Sequence, residues 1–165
     1  MAEISALELT QRQVEAERQD ILRSKHQTRQ ARVLVVEDER HIARLLEHVL
    51  VREGYQVSVV NDAERAFESI ATICPDALLL DVVLPGMSGL DLLRKLRQDP
   101  RWSTLVVIVL SARWFNHDDP ALTQAGATVQ CPKPIAPSKL IRKLQECGIP
   151  PNFTLPLIEG LLTKR

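Results

Sequence analysis

Residues 76–90 read DALLLDVVLPGMSGL, a short apolar run that ends in an aspartate and leads into a loop with glycines. The run at residues 77–80 is apolar at every position, which is typical of a strand buried on both faces of a sheet. Asp81 follows it, and the segment SGLD at residues 88–91 has the spacing of a capping box, which starts a helix. The stretch therefore predicts a buried strand, a loop that begins with a carboxylate, and a helix.

The rest of the chain repeats this alternation of strands and helices. Further strands are predicted at residues 32–36, 56–60, 105–110 and 128–131, and further helices between them and after the last one. Two of these helices are expected to face the core with Ile42, Leu45, Leu46, Val49 and Leu50, and with Ala66, Phe67 and Ile70. Five strands alternating with helices predict βαβ units and an α/β fold with a parallel sheet.

Three segments are predicted along the chain. Residues 1–31 lack glycine and proline and are rich in Glu, Gln and Arg, so we expect an N-terminal helical extension, either a partner-binding or dimer helix or a solvated one. Residues 32–147 form the α/β domain. Residues 148–165 are expected to be a short tail with three prolines, too short for a helix-turn-helix pair, in which residues 157–162 have the pattern of a short apolar helix.

Composition excludes several classes of protein. Lys and Arg together number 21, as do Asp and Glu, so no basic excess favours binding to nucleic acid or to an acidic membrane surface. The longest apolar run, at residues 105–110, is far shorter than the ~20 residues that cross a bilayer. The three cysteines suit reduced thiols. We therefore expect a cytoplasmic protein without membrane insertion and without direct nucleic-acid contact.

The predicted strands end in polar side chains that together indicate a chemical site. These are Glu37 and Asp38, Asp81, Ser111 and Lys133. The carboxyl ends of parallel strands meet at one edge of a sheet, where such folds place their ligands. Three carboxylates there would repel one another, and a hard cation such as Mg²⁺ would relieve the repulsion. A carboxylate can also attack phosphorus and form an aspartyl-phosphate, whose charge an ammonium and a hydroxyl group would stabilise.

Each of these residues has an ordinary structural interpretation when it is taken singly. An aspartate at a strand end is commonly a turn residue, and a Glu-Asp pair before a helix supplies favourable charge at the helix N-terminus. The combination at successive strand ends is what indicates a phosphoryl-acceptor site.

The same segments resemble the receiver domain of bacterial two-component response regulators, the CheY-like superfamily. The motifs are VLVVEDE at residues 33–39, the stretch at 76–90, VIVLSA at 107–112, Gly126-Ala127 and Lys133-Pro134. Spacing agrees as well, with 43 residues from Asp38 to Asp81, 30 from there to Ser111 and 22 more to Lys133. The resemblance covers residues 32–147 and implies a flavodoxin-like fold, a doubly wound five-stranded parallel sheet in the order 2-1-3-4-5.

The resemblance also implies a role for each site residue. Asp81 would accept a phosphoryl group from a sensor histidine kinase or a histidine phosphotransfer protein. Mg²⁺ would be held by Glu37, Asp38, Asp81 and the backbone carbonyl of Val83. Ser111 and Lys133 would contact the phosphoryl group, and the peptide bond before Pro134 would be cis.

A predicted switch and partner surface consists of Ser111, Gln130, Trp114 and Phe115. The family usually has an aromatic residue three positions before the lysine. Gln130 departs from that pattern, so the resemblance does not imply the usual coupling between the hydroxyl and an aromatic ring here. Trp114 and Phe115 either pack beneath the following helix or form part of a partner surface. A dimer through the N-terminal helix or through the receiver face is a further expectation.

Alternative functions remain open at this point. The chain could be a phosphorylation-independent adaptor that keeps the receiver fold, or a fragment of a longer regulator. A phosphatase of the haloacid dehalogenase type would have a second aspartate at position 83, where valine stands. No P-loop or nucleophile-elbow motif occurs, and we expect no enzyme activity beyond the domain's own phosphorylation and dephosphorylation. Because the tail is too short for a helix-turn-helix pair, we expect output through an unknown protein target rather than a DNA-binding domain.

Overall fold

A computed structural model describes residues 27–112 and 119–155 of the chain. The chain divides into two compact units. One unit, Gln30–Asn152, contains a sheet of five parallel strands. The other consists of the two chain ends, of which residues 27–29 and 153–155 are described. In chain order, the elements of the described residues are β1 Gln27–Gln30, β2 Arg32–Val36, α1 Arg40–Arg52, β3 Gln56–Val60, α2 Ala63–Ile73, β4 Ala77–Asp81, α3 Gly89–Gln98, β5 Val106–Ser111, α4 Pro120–Gln124, β6 Val129–Pro132, α5 Pro137–Glu146 and β7 Asn152–Leu155.

The sheet has the strand order β3-β2-β4-β5-β6. Counted from β2 as the first strand of the domain, this is the order 2-1-3-4-5, so the flavodoxin-like prediction is confirmed. Its register pairs Val36 with Leu80, and Asp81 with Leu110. The carboxyl ends of β2, β4 and β5 therefore lie side by side along one edge of the sheet.

Both faces of the central strands are buried, as their uninterrupted apolar sequence predicts. Leu78 and Leu80 of β4 pack with Leu92 and Leu96 of α3 in one core cluster. Leu79, which points to the opposite face because side chains alternate along a strand, is equally inaccessible to solvent. This two-sided burial fixes β4, and with it the position of Asp81 at its end.

Capping groups set the starts of two helices that border the site. The side chain of Asp62 accepts a hydrogen bond of 2.7 Å from the Arg65 N–H at the start of α2. Ser88 accepts one of 3.2 Å from the Asp91 N–H at the start of α3, so the N-cap predicted from the sequence is confirmed. The Asp91 carboxylate accepts from the Ser88 hydroxyl at 2.7 Å.

Two of the residues expected in the core are partly or largely exposed. Leu45 of α1 is 58% exposed, because this helix buries Ala43, Leu46 and Leu50, and Leu45 lies about 100° around the helix from Leu46. Phe67 of α2 is 36% exposed, and the Lys95 ammonium group lies 5.2 Å from its ring centroid. The sequence prediction was wrong for both side chains. A helix packed on a sheet buries only part of its apolar face, and these two residues lie outside the buried part.

The end of the predicted N-terminal helix is also corrected. Gln27–Gln30 form β1, which pairs with β7 of the tail in a two-stranded sheet, and the Arg29 guanidinium lies 4.7 Å from the Phe153 ring centroid. The sequence of β1 has no apolar alternation, and its partner strand lies at the other end of the chain, so no local pattern could predict the pairing. The rest of that helix, and the short helix predicted at residues 157–162, lie outside the described residues. No helix among the described residues is long and apolar enough to cross a membrane.

Candidate functional site

The polar residues predicted at the strand ends lie along one edge of the sheet. Glu37 and Asp38 follow β2, Asp81 is the last residue of β4, Ser111 is the last residue of β5, and Lys133 follows β6. The register continues this alignment, since Ser111 is paired with Pro132 and its carbonyl accepts a hydrogen bond of 2.8 Å from the Lys133 N–H. Parallel pairing thus assembles residues that are far apart in the sequence.

Three carboxylates form a cluster at this edge. One oxygen from each of Glu37, Asp38 and Asp81 can be chosen so that all three lie within 4.8 Å of one another. Glu37 and Asp81 are 1% and 6% exposed, whereas Asp38 is exposed. A divalent cation that prefers oxygen ligands and keeps several waters, such as Mg²⁺, fits this donor set, because two fixed carboxylates line the interior and the third faces solvent.

Lys133 pairs with both buried carboxylates. Its Nζ donates to Glu37 Oε2 and to Asp81 Oδ2, each at 2.6 Å. Burial by itself lowers the pKa of Lys133, but the hydrogen bonds to Asp81 and Glu37 more than offset this and raise the pKa above its usual value. The ammonium therefore stays charged and neutralises part of the acidic cluster.

Glu37 has a raised pKa because burial disfavours its charged form. The hydrogen bond and the positive charge of Lys133 act in the opposite direction, and the nearby charge of Asp81 raises the pKa further. The cluster is thus electrostatically costly without a cation in addition to the lysine, which is the physical property expected of a metal-binding site.

The backbone fixes the orientation of the Asp81 carboxylate. The Val83 N–H donates to Asp81 Oδ1 at 3.0 Å, while Oδ2 is held by Lys133. The Val83 side chain itself is 69% exposed, so the backbone of this residue, and not its side chain, lies beside the carboxylate. Both carboxylate oxygens are positioned by donors from different parts of the chain.

Gln130, predicted as part of the switch surface, forms hydrogen bonds that its position in the sequence did not suggest. Its Oε1 accepts from the Asp119 N–H at 2.8 Å, and its Nε2 donates to the Asp119 carbonyl at 3.1 Å and to Thr123 Oγ1 at 2.9 Å. The side chain therefore ties β6 to the start of α4. Trp114 and Phe115, the other members of that surface besides Ser111, lie outside the described residues.

Gly89 was recognised in the sequence only as part of a capping box, and the structure gives it a second role. A Cβ atom on Gly89 would lie 2.0 Å from the backbone carbonyl oxygen of Asp81. The Gly89 N–H also donates to the Val82 carbonyl at 3.0 Å. The start of α3 thus packs directly on the backbone of Asp81. A glycine at this position is the sequence feature that indicates such close packing, because any larger residue would collide with the backbone.

A cavity of about 250 Å³ adjoins the carboxylate cluster. It is lined by Glu37 and Asp38 of the cluster and by Arg40 and Arg44 of α1. The cavity gives the acidic residues a solvent-facing opening next to two cationic side chains.

Comparison with known proteins agrees with this geometry. The family model for the response regulator receiver domain matches residues 33–145. Similar curated proteins include the DNA-binding response regulator MtrA of Mycolicibacterium smegmatis, 34% identical over 72% of this chain and 50% of that protein. The response regulator MprA of Mycobacterium ulcerans is 38% identical over 69% of this chain and 48% of that protein. The chain thus spans about half the length of the curated relatives it matches.

Solved structures give the same result. The chemotaxis response regulator CheY4 of Vibrio cholerae has a TM-score of 0.68 and 25% identity, covering 72% of this chain and 99% of that one. A CheY-like receiver domain protein from Methanospirillum hungatei has a TM-score of 0.66 and 26% identity, covering 72% of this chain and 93% of that one. The protein belongs to the response regulator receiver domain family.

Proposed function

We propose that this chain accepts a phosphoryl group on Asp81 in a Mg²⁺-dependent reaction and signals through contact with another protein. The donor would be a phosphohistidine of a sensor histidine kinase or of a histidine phosphotransfer protein. The observation that supports this most directly is the cluster of three carboxylates within 4.8 Å, two of them buried and both bonded to Lys133.

The proposed roles follow from where each group lies. Asp81 is the nucleophile: a carboxylate oxygen attacks phosphorus, and the bond from phosphorus to the donor's imidazole nitrogen breaks. Lys133 and the Val83 N–H hold the two carboxylate oxygens before the attack, which limits the orientations that Asp81 can take. Lys133 then pairs with the negative charge of the transferred group, to which the Ser111 hydroxyl donates a hydrogen bond.

Glu37, Asp38, Asp81 and the Val83 carbonyl are the proposed ligands of Mg²⁺. When bound, the ion would neutralise charge on the phosphoryl oxygens. The raised pKa of Glu37 supports this assignment, because a cation at the cluster would favour the ionised form that burial disfavours.

The proposed output is a change in the surface around β5, α4 and β6. A phosphoryl group adds up to about two negative charges at the strand ends, beside Ser111. That charge would bias the position of the β5 end relative to α4, and a partner protein would read the difference.

Covalent labelling tests the proposal. The full chain is incubated with acetyl phosphate or beryllofluoride, with MgCl₂ or with EDTA, and the product is followed by intact mass and by ¹⁹F NMR. We expect Mg²⁺-dependent labelling that Asp81→Asn abolishes. Asp76→Asn is the matched control, since Asp76 precedes the same strand at its other end and asparagine keeps an oxygen to accept from the Arg32 N–H.

Two results would count against a phosphoryl acceptor. One is a folded wild-type chain that takes up neither reagent with Mg²⁺, which would favour a phosphorylation-independent adaptor. The other is labelling that survives Asp81→Asn, which would place the acceptor elsewhere.

A further inference from the structure

The loop at residues 82–88 connects Asp81 to α3 and determines what surrounds the carboxylate. Near its start, the Val83 N–H donates to Asp81 Oδ1. At its end, Gly89 packs against the Asp81 carbonyl oxygen, with its N–H bonded to the Val82 carbonyl. A change in conformation at either end of this loop therefore moves a group that contacts Asp81.

Apolar packing holds some residues of this loop and not others: Val82, Leu84 and Met87 pack against the core cluster. Val83, Pro85 and Gly86 are exposed. Gly86 has a φ of +74°, a left-handed conformation that glycine adopts readily because it has no side chain. The turn at Pro85 and Gly86, between the packed side chains of Leu84 and Met87, has no such apolar anchor, so a polar contact can fix its conformation.

Glu64, in the first turn of α2, supplies such a contact. Its Oε1 accepts a hydrogen bond of 2.8 Å from the Met87 N–H, 23 residues away in the sequence. The same carboxylate lies against Gly86, where a Cβ atom would approach Oε1 to 2.8 Å. At 2.8 Å this is a hydrogen bond of ordinary length, and it joins the first turn of α2 to the exposed part of the loop.

We infer that Glu64 is a positioning residue for the Asp81 site. By holding Gly86 and Met87, it keeps the Val83 backbone where its N–H reaches Asp81 and, in the proposed function on which this inference rests, where its carbonyl reaches Mg²⁺. Glu64 acts through the loop and does not itself touch the reacting groups.

An ordinary structural role for Glu64 predicts different behaviour. A carboxylate in the first turn of a helix stabilises that helix through its charge alone. Glu64→Gln removes the charge but keeps an oxygen that can accept from the Met87 N–H, whereas Glu64→Ala removes both. Rescue by glutamine therefore separates the positioning role from the charge effect.

The test is a MgCl₂ titration of the ¹⁵N-labelled full chain, followed by the amide signals of Val83 and Met87. We expect Glu64→Ala to shift both signals before magnesium is added and to weaken Mg²⁺ binding about fivefold, the worth of one hydrogen bond. Glu64→Gln should bind within about twofold of wild type. Glu68→Ala is the control, since Glu68 is exposed one turn further along α2 and its side chain makes no hydrogen bond or ion pair with any described residue.

The outcomes separate the two proposals. Wild-type binding that Glu64→Ala leaves unchanged, with an unshifted Val83 signal, overturns the role of Glu64 while the proposed function stands. Weakened binding that glutamine fails to rescue assigns Glu64 a charge effect and overturns the positioning role. A wild-type chain that binds no Mg²⁺ overturns the proposed metal site itself. Thermal unfolding of each variant identifies any that has lost its fold. If Glu64→Ala is unfolded, the comparison of Glu64→Gln with wild type tests the positioning role.

Discussion

The Lys133 ammonium group lies 2.6 Å from Oε2 of Glu37, although 96 residues separate the two in the sequence. The Glu37 side chain is fully buried, so water cannot stabilise its charge. Removing one partner of a buried ion pair leaves an uncompensated charge, which costs far more than the pair itself contributes. Lys133 is therefore expected to support the fold of the metal-free protein as well as the proposed chemistry.

Lys133→Ala should lower the free energy of unfolding of the metal-free protein by about 3 kcal/mol, because Glu37 and Asp81 lose their shared cation. Added Mg²⁺ should recover part of this loss, since it supplies positive charge to the same carboxylates. Urea denaturation with EDTA and with MgCl₂ measures both effects.

The matched control is Lys139→Ala. Lys139 is exposed on α5, and its loss should change stability by less than about 0.5 kcal/mol in either buffer. A Lys133→Ala chain as stable as wild type in EDTA would show that Glu37 needs no partner.

The meeting of the polar side chains of the site could be predicted from the sequence because they lie at the ends of neighbouring strands. Parallel pairing brings the carboxyl ends of neighbouring strands together whatever the intervening sequence is, so the sequence alone predicts that Asp38, Asp81 and Lys133 lie close together. Side-chain burial on the helices was less predictable. Leu45 and Phe67 have the spacing of an apolar helix face. Which edge of that face is exposed to solvent depends on how α1 and α2 pack, and the spacing does not determine this.

Contacts that depend on polar side chains in loops could not be predicted. Glutamine at position 130 was noted for the aromatic residue it replaces, whereas its bonds to Asp119 and Thr123 exist only because β6 and α4 are adjacent. Glu64 was simply an acidic residue in a helix until the fold placed the Met87 N–H beside it. Such contacts join segments that are distant in the sequence, and neither segment has a residue pattern that indicates the other as its partner.

Gly89→Ala should destabilise the protein and disturb Asp81 together. The added methyl group would lie 2.0 Å from the Asp81 carbonyl oxygen, so either α3 or the backbone of Asp81 must move. We expect a loss of about 3 kcal/mol in unfolding free energy, in the range of an overpacked core, and reduced beryllofluoride uptake. Urea denaturation and ¹⁹F NMR measure the two effects.

Gly148→Ala provides the comparison for this substitution. Gly148 has a φ of +78° but open space around its α-carbon, so alanine there costs about 1 kcal/mol of backbone strain and leaves labelling of Asp81 intact. If both variants labelled equally well, the close packing of α3 on Asp81 would have no bearing on the site.

Gln130→Ala should loosen the start of α4. Its side-chain amide accepts from the Asp119 N–H and donates to the Asp119 carbonyl, and alanine can do neither. The carbonyl keeps the Leu122 and Thr123 N–H donors of α4, so the Asp119 N–H is the group that the substitution affects most. We expect a loss of about 1–2 kcal/mol in stability and faster hydrogen exchange of the Asp119 amide, measured by NMR. Gln130→Glu keeps an acceptor for that amide and should slow its exchange again; equal exchange in all three proteins would contradict the bond.

Tyr55 allows a direct titration, because it is the single tyrosine of the chain. Its hydroxyl is buried and donates to the Ile149 carbonyl at 2.9 Å, and burial together with the charge of Glu53 raises its pKa to about 12. The unfolded chain should titrate near ~10, so unfolding free energy is unaffected below that pH and falls by up to about 3 kcal/mol as the pH rises toward 12. Tyrosinate absorbance should show a midpoint near 12 in buffer and near ~10 in urea. Tyr55→Phe should remove this part of the alkaline loss of stability, whereas a native midpoint at the unfolded value would mean that the hydroxyl is neither buried nor bonded.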